Sequence, residues 1–322
     1  QAIRDYLFGW QGLRYDPTSE ILITVGVAEA IDLVMRAVLE PGDEVLIPEP
    51  CFVSYVPCAT LAGGRPVTIP LRAADAFKLT PELLETYITP RSKVLLMGFP
   101  ANPTGAVMTE AELQAIAELA IKHDLLVVSD EIYGEMTYEG RHRSIAALPG
   151  MRERTVLLHG FSKAYAMTGW RIGYACGPSE IIGAMMKIHQ YTIMCAPITG
   201  QVAALEALRR GAAPRDAMVA EYNRRRRLMV DGLRQAGLDC FEPQGAFYIF
   251  PSIAETGMDD MTFAIRLLEE EKVAVVPGSA FGPSGAGHVR CSYASSTANL
   301  TEALRRIGRF VARNRVGAVA GD

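Results

Sequence analysis

Between residues 21 and 176 the chain alternates short apolar runs with segments of helical periodicity. The runs predict strands at 21–25, 44–47, 93–99, 125–129 and 155–159, with a sixth candidate at 171–176. Most are apolar throughout, which is typical of strands buried on both faces, and the intervening helices favour a parallel arrangement. One helix, from a capping box at Thr109 and Glu112 to about His123, is marked with particular clarity. We therefore predict an α/β fold, with a mostly parallel central sheet covered by helices on both faces.

After residue 200 the pattern changes. Two helical segments, 201–210 and 214–236, precede shorter units: predicted strands at 246–250, 273–276 and 289–293, and predicted helices at 260–271 and 298–313. This mixture is typical of a smaller α+β domain. The length of 322 residues is sufficient for two domains. We predict a large domain over 1–220 and a small domain over 221–322.

The charge balance argues against highly anionic partners. Lys and Arg number 32 against 36 Asp and Glu, a net charge of −4, so nucleic acid and anionic membrane surfaces are not expected partners. No apolar run approaches the roughly 18 residues that span a bilayer. The one basic run, Arg224 to Arg227, follows Glu221 by about one turn and predicts a solvated helix face.

The six cysteines are scattered, no pair has C-x-x-C spacing, and only five histidines are present. This pattern disfavours a metal site and a disulfide framework. It fits small buried side chains in a reducing compartment, and we expect a cytoplasmic protein.

Polar and small residues follow the predicted strands at their carboxyl ends. They are Gly26, Val27 and Ala28 after the first strand, Asn102 after the third, Asp130 and Tyr133 after the fourth, and Ser162 and Lys163 after the fifth. Open α/β sheets bind ligands at this edge. The helix that begins near Gly26 presents backbone N–H groups suited to a phosphate. We predict a ligand site there.

Each of these residues also has a simpler interpretation. Gly26 suits a tight turn between strand and helix, the segment 102–105 is a common turn sequence, and Asp130 could cap a local turn. Lys163 is harder to explain in this way, because a long cation among small and apolar residues requires an acidic partner or a reactive role. Arg171 and Arg290 interrupt apolar surroundings, which indicates bound anions or internal salt bridges.

Several competing motifs are missing from the sequence. It contains no G-x-x-x-x-G-K-[ST] segment, no G-x-G-x-x-G at a strand–helix junction and no G-x-S-x-G. These findings disfavour a P-loop nucleotidase, a dinucleotide-binding domain and an α/β-hydrolase.

Segment 160–173, with the sequence GFSKAYAMTGWRIG, resembles the lysine signature of the class I/II aminotransferases. These are pyridoxal-phosphate enzymes of fold type I. The resemblance extends from about residue 21 to the final helix, with the motifs in family order. It is greatest to the prokaryotic branch that contains aspartate and aromatic aminotransferases.

The resemblance implies catalytic roles for Lys163, Asp130 and Tyr133, and a binding role for Asn102. Lys163 would form the internal aldimine with pyridoxal 5′-phosphate and then carry the proton between Cα and C4′. Asp130 would pair with the pyridinium nitrogen. Tyr133 and Asn102 would donate to the phenolic oxygen, and Asn102 would also contact substrate. The Asn102–Pro103 peptide is a candidate cis bond.

The resemblance also implies binding roles. Phe52 would stack on the cofactor ring, and Ser162, beside Lys163, would belong to the cofactor site. The backbone of 26–28 and the guanidinium of Arg171 would hold the phosphate. Arg290 would hold the substrate α-carboxylate through two hydrogen bonds.

The reaction so implied moves an amino group from an aromatic or aspartate-type α-amino acid to a 2-oxo acid such as 2-oxoglutarate, by ping-pong kinetics in a homodimer with its site at the interface. Phe247 and Tyr248 would approach the substrate or simply pack in the core. Two alternatives remain open. A C–S β-lyase would use the same Lys163, Asp130 and Arg290, and a ligand-sensing regulator would need an attached DNA-binding segment.

Two departures from the family pattern concern the phosphate site and the amino terminus. Ala28 and Gly160 lack hydroxyl groups that some relatives place there, so backbone donors and Arg171 would carry more of the phosphate. The sequence from Gln1 onward predicts a helix that has already begun, without a capping residue. We expect a preceding stretch that was cleaved, left out or disordered, and that in relatives supplies a substrate-contacting glycine and a tyrosine for the neighbouring subunit.

Overall fold

The computed structural model describes residues 1–316, and a seven-stranded sheet forms its centre. The strands are β1 (Ile21–Thr24), β2 (Glu44–Glu49), β3 (Arg65–Pro70), β4 (Ser92–Gly98), β5 (Leu126–Asp130), β6 (Thr155–Gly160) and β7 (Gly173–Cys176). Their order is β1-β7-β6-β5-β4-β2-β3. Only β7 runs antiparallel to its neighbours, so the predicted mostly parallel sheet is confirmed.

Helices cover both faces of this sheet, as predicted. They are α1 (Ala2–Gln11), α2 (Gly26–Val38), α3 (Tyr55–Leu61), α4 (Pro81–Tyr87), α5 (Glu110–Lys122), α6 (Ser179–Thr192) and α7 (Ile198–Arg210). Alternate strand residues enter different cores: Val94 and Leu96 pack with α2 and α6, whereas Leu95 and Met97 pack with α5. This two-sided burial explains why the strands are apolar at consecutive positions.

The predicted capping box of α5 is present. The backbone N–H of Glu112 donates to Thr109 Oγ1 at 3.3 Å, and the backbone N–H of Thr109 donates to Glu112 Oε2 at 2.7 Å. Four of these helices and strands were not predicted: β3, α3, α4 and α6. Strand β3 begins with Arg65-Pro66 and ends at Pro70, a composition that an edge strand tolerates but that carries little strand signal.

The rest of the described chain forms a second, smaller layer. Helix α8 (Ala212–Gln235) leads into a three-stranded antiparallel sheet in the order β8-β10-β9, flanked by two helices. These elements are β8 (Tyr248–Ile249), α9 (Asp260–Glu271), β9 (Val276–Pro277), β10 (Val289–Ser292) and α10 (Thr297–Asn314). The strands β8 and β9 are shorter than predicted, and residues 273–275 are irregular.

The predicted division at 220/221 falls within α8. Met229, Val230 and Leu233 of this helix pack into the core of the small sheet, whereas Met218 and Val219 pack beside Ile132 and Tyr133. The division therefore stays a prediction, and residues 317–322 of the predicted small domain lie outside the described residues. Within 1–316, no helix is both long enough and apolar enough to cross a membrane.

Two surface predictions are wrong in part. In the run 224–227, predicted to form a solvated face, Arg224 and Arg227 are exposed, but Arg226 is buried. Its guanidinium donates to Glu139 at 3.0 Å and to the Pro243 carbonyl at 2.7 Å, and it also packs on the Tyr138 ring. The cysteines were predicted to be buried, and four are, but Cys195 is exposed and Cys58 is half-buried. Cys195 lies between α6 and α7, in a segment with several exposed apolar residues.

Candidate active site

A cavity of about 430 Å³ opens at the carboxyl ends of the parallel strands. Ten of the eleven predicted site residues line it: Val27, Ala28, Phe52, Asn102, Asp130, Tyr133, Ser162, Lys163, Arg171 and Arg290. The eleventh, Gly26, lies directly against the Arg171 guanidinium. The structure thus brings together groups from five separate segments of the large sheet and one strand of the small sheet.

One end of the cavity is formed by the amino terminus of α2. No side chain caps this helix, so its first backbone N–H groups remain available for an anion. Gly26 has a φ of +73° and opens the helix. A Cβ atom at this position would come within 2.5 Å of Arg171 Nη2. Glycine therefore allows both the turn and the close approach of the guanidinium.

The cation of Arg171 is free to bind an anion here. Its Nη1 donates to the carbonyl oxygen of Thr168 at 2.9 Å, an uncharged partner. Arg171 itself adopts the left-handed conformation, with a φ of +56°. A helix amino terminus and an adjacent arginine have the chemistry of a phosphate cradle.

Asp130 ends β5 and is buried in the wall of the same cavity. Its Oδ2 accepts a hydrogen bond from the Tyr55 hydroxyl at 2.9 Å, and its Oδ1 accepts one from the backbone N–H of Ile132 at 3.2 Å. Burial raises the pKa of Asp130 to about 6, although both hydrogen bonds and nearby His159 oppose the shift. A protonated ring nitrogen would stabilise such a carboxylate.

Lys163 follows β6 and is half-buried in the same cavity. Its Nζ lies 5.7 Å from the Tyr133 ring centroid and 5.5 Å from that of Phe247. Burial lowers its pKa, Arg290 and Arg171 lower it further, and Asp130 opposes them. These surroundings favour the neutral amine, which is the form that acts as a nucleophile or proton acceptor.

Arg290 enters the cavity from β10. Its Nη1 donates to Asn102 Oδ1 at 2.8 Å, and its guanidinium carbon lies 4.2 Å from the Tyr248 ring centroid and 4.7 Å from that of Phe281. The aromatic rings hold the guanidinium without neutralising it, so its charge remains available to a carboxylate. The peptide bond between Asn102 and Pro103 is cis, as predicted.

Two aromatic groups complete the predicted set. The hydroxyl oxygens of Tyr133 and Tyr248 lie 3.1 Å apart, and burial raises the pKa of Tyr133, which therefore stays a neutral phenol. Phe52 lines the cavity wall and packs edge-to-face on Tyr55, with 5.8 Å between ring centroids. Ser162 is buried beside Lys163.

The sequence did not identify Tyr55, Phe281 and Val276, which also line the cavity. Tyr55 stands three residues after Phe52, and an aromatic pair at that spacing was its only signal. Phe281 and Val276 come from irregular or very short segments far from the large sheet in sequence. Among residues 1–316, no cluster of three or more His, Cys, Asp or Glu residues is arranged to hold a metal ion.

Comparisons with known proteins give a consistent result. The profile of the family described as "Aminotransferase class I and II" matches residues 1–307. A putative aminotransferase of Bacillus subtilis, YugH, is 52% identical over 97% of this chain and 81% of its own length. An aspartate aminotransferase of Pyrococcus abyssi is 44% identical over 98% of this chain and 82% of its own.

A solved structure is similar as well. The aromatic aminotransferase of Pyrococcus horikoshii has a TM-score of 0.95 and 45% identity, over 96% of this chain and 84% of its own.

Proposed function

The chain belongs to the class I and II aminotransferases and is an aminotransferase, and on that premise we propose that pyridoxal 5′-phosphate occupies the cavity. When bound, this cofactor supplies an electron sink for the carbanion left when the substrate Cα loses its proton. The donor-rich end formed by α2 and Arg171 suits its phosphate. Asp130 suits its ring nitrogen, and Phe52 would stack on its ring. Ser162 would join the cofactor contacts beside Lys163.

The observation that carries the proposal is the state of Lys163. Its amine shares one cavity with Asp130, Arg171 and Arg290, and its pKa is lowered. A neutral amine at this position can take the proton from the substrate Cα and return it at the other end of the reacting system. Tyr133 would donate its hydroxyl to the phenolic oxygen of the cofactor, as would Asn102.

The substrate would be held by Arg290 and Asn102. Their hydrogen bond fixes one edge of the guanidinium, and the Tyr248 and Phe281 rings fix its plane. A carboxylate bound to the remaining donors would be oriented by two parallel hydrogen bonds. We assign the α-carboxylate of both amino acid and 2-oxo acid to this position.

The test of this function is Lys163→Ala. We expect the variant to lose turnover and the visible absorption of the bound cofactor, because no other amine replaces Nζ. Lys122→Ala, which removes an exposed lysine paired with Glu85 on the protein surface, is the matched control and should behave as wild type. Normal transamination by Lys163→Ala would show the assignment to be wrong.

For the substrate, we propose an aromatic or aspartate-type donor with 2-oxoglutarate as the acceptor. Tyr248, Phe281 and Val276 give the cavity an apolar wall near Arg290. Relatives similar to this chain are named aspartate and aromatic aminotransferases. Turnover of phenylalanine, tyrosine and aspartate with 2-oxoglutarate should be readily measured. If only donors outside both classes were active, this substrate proposal would fail.

We propose that the protein functions as a homodimer. Exposed apolar side chains are concentrated in the segment 191–202: Tyr191, Met194, Ile198 and Val202. Surfaces of this kind are typical of association sites. Light scattering should give a dimer that Ile198→Glu dissociates, whereas Leu61→Glu, at an exposed position on α3, should leave it intact. A monomeric wild type would contradict the proposal.

A further inference from the structure

Glu49 is a buried carboxylate that lies outside the cavity and has no role in the reaction described above. It is the last residue of β2 and only 3% exposed. Its Oε1 accepts two hydrogen bonds from Ser284, one from the backbone N–H and one from Oγ, both at 2.7 Å. A buried charge is costly unless such donors satisfy it. The contact therefore joins the large sheet to a segment 235 positions later.

The backbone around this contact is shaped to allow it. Gly282 has a φ of +114°, and a Cβ atom there would come within 2.1 Å of Glu49 Cδ. Two residues after Glu49, the backbone N–H of Cys51 donates to the carbonyl oxygen of Phe281 at 3.0 Å. Residues 281–284 are thus held against the end of β2 by three hydrogen bonds, and we call these residues the docked segment.

The docked segment carries one wall of the substrate site. Phe281 is buried, and its ring centroid lies 4.7 Å from the guanidinium carbon of Arg290. Tyr248, on the neighbouring strand β8, packs on the same guanidinium at 4.2 Å. If residues 281–284 moved, Arg290 would lose the packing that fixes its plane. The orientation needed for two parallel hydrogen bonds to a carboxylate would be lost with it.

We propose that Glu49 and Ser284 are positioning residues that set the affinity for the substrate carboxylate through Phe281 and Arg290. The proposal rests on the substrate-binding role assigned to Arg290 under the proposed function. Neither residue touches the cofactor end of the cavity formed by α2, Arg171, Asp130 and Lys163. Their effect is therefore confined to amino acid and 2-oxo acid binding and leaves cofactor binding unchanged.

The experiment is steady-state kinetics on the holoenzyme with Glu49→Leu, Glu49→Gln and Ser284→Ala. In Glu49→Leu the Ser284 donors lose their acceptor, and we expect KM for both substrates to rise about tenfold while kcat stays within about twofold. Glu49→Gln retains an acceptor oxygen and should restore most of the affinity. Ser284→Ala, which keeps the backbone donor, should raise KM by a smaller factor of about three.

The second arm places each change in an Arg290→Leu background. A residue that acts only through Arg290 has no further effect once Arg290 is gone, so the two effects on KM should not add. Titration with a simple monocarboxylate inhibitor should show the same weakening, and the cofactor dissociation constant should match wild type.

Three results would overturn the proposal: an unchanged KM in both Glu49→Leu and Ser284→Ala, fully additive effects with Arg290→Leu, or equal weakening of cofactor and substrate binding. If Glu49→Leu fails to fold, Ser284→Ala and Glu49→Gln still decide the question. If the wild-type protein is an active aminotransferase and the variants give one of these three results, only this inference is refuted. Retained turnover in Lys163→Ala would refute the proposed function instead.

Discussion

The end of the cavity to which we assign the cofactor is formed by groups at the ends of neighbouring strands of the large sheet. The end to which we assign the substrate is assembled from distant segments. Asp130 ends β5 and Lys163 stands three residues after β6, and these two strands are hydrogen-bonded to each other. Arg290 meets Asn102 across a separation of 188 positions. Backbone hydrogen bonds of the sheet fix the positions of the groups at the cofactor end, whereas side-chain packing fixes those at the substrate end. The two ends should therefore respond differently to substitution.

The largest effect is expected at the cofactor end, from Asp130→Asn. The amide keeps the shape and can still accept from Tyr55, but it removes the negative charge that would pair with the ring nitrogen. We expect kcat to fall by about two to three orders of magnitude. Steady-state kinetics at saturating cofactor measures this change. The control is Ser129→Ala, at the buried position next to Asp130. It should lower kcat by less than about threefold, because the Ser129 hydroxyl donates to Glu131 and not to a group in the cavity. Equal losses in the two variants would contradict the assignment.

At the substrate end, Arg290→Leu should raise KM for the amino acid by about a hundredfold. The loss of the guanidinium leaves the α-carboxylate without its charged partner, while the phosphate and ring-nitrogen contacts stay intact. The visible absorption of the bound cofactor should therefore persist. Arg305→Leu, on the exposed face of α10, is the control and should leave KM unchanged. Loss of cofactor in Arg290→Leu would mean that the two ends are not separable.

Gly26→Ala tests the phosphate cradle. The new methyl group would lie against the Arg171 guanidinium, and the backbone φ of +73° is strained for alanine. We expect the dissociation constant of the cofactor to rise about tenfold with KM for the amino acid little changed. Gly183→Ala, on α6 with open space around it, serves as the matched control. The opposite pattern, a raised KM with unchanged cofactor affinity, would contradict the assignment of Gly26 and Arg171 to phosphate binding.

The smallest expected effect is that of Tyr55→Phe on pH dependence. The ionised form of Asp130 is the one that binds a protonated ring nitrogen, so cofactor affinity should fall as pH falls through the pKa of Asp130, which is about 6 in the protein without cofactor. Four further groups also influence this carboxylate: His159, Glu131, Tyr133 and Lys163.

Removing the Tyr55 donor withdraws stabilisation from the ionised form and raises the pKa, by about one unit or less. The loss of affinity should begin at a higher pH in Tyr55→Phe, and cofactor titrations of the apoenzyme across pH measure it. A shift to lower pH would contradict the role of this hydrogen bond.

The same contrast explains which residues the sequence could identify. Lys163 and Asp130 each follow an apolar run, and strand ends in open α/β sheets are where ligands bind, so their position was predictable. Glu49, Tyr55 and Phe281 were not identified, because their contacts depend on how α3 and the segment near residue 281 pack on the large sheet. Arg226 was placed on the surface for a related reason, since its partners Glu139 and Pro243 are brought to it only by folding.

Part of the site was predicted by resemblance rather than by physical pattern. The roles of Phe52, Ser162 and Arg290 came from the segments that match the family, and the structure places all three on one cavity. Strand β3 was missed because its prolines and Arg65 belong to an edge, where neither burial nor alternation gives a strong signal.

The most direct measurement is the site of covalent attachment. Borohydride treatment of the holoenzyme fixes a bound pyridoxal 5′-phosphate to the amine that carries it, and peptide mass spectrometry then identifies the residue. We expect a single adduct on Lys163, and no adduct in Lys163→Ala. Attachment to another lysine, or a fully active enzyme without any adduct, would contradict it.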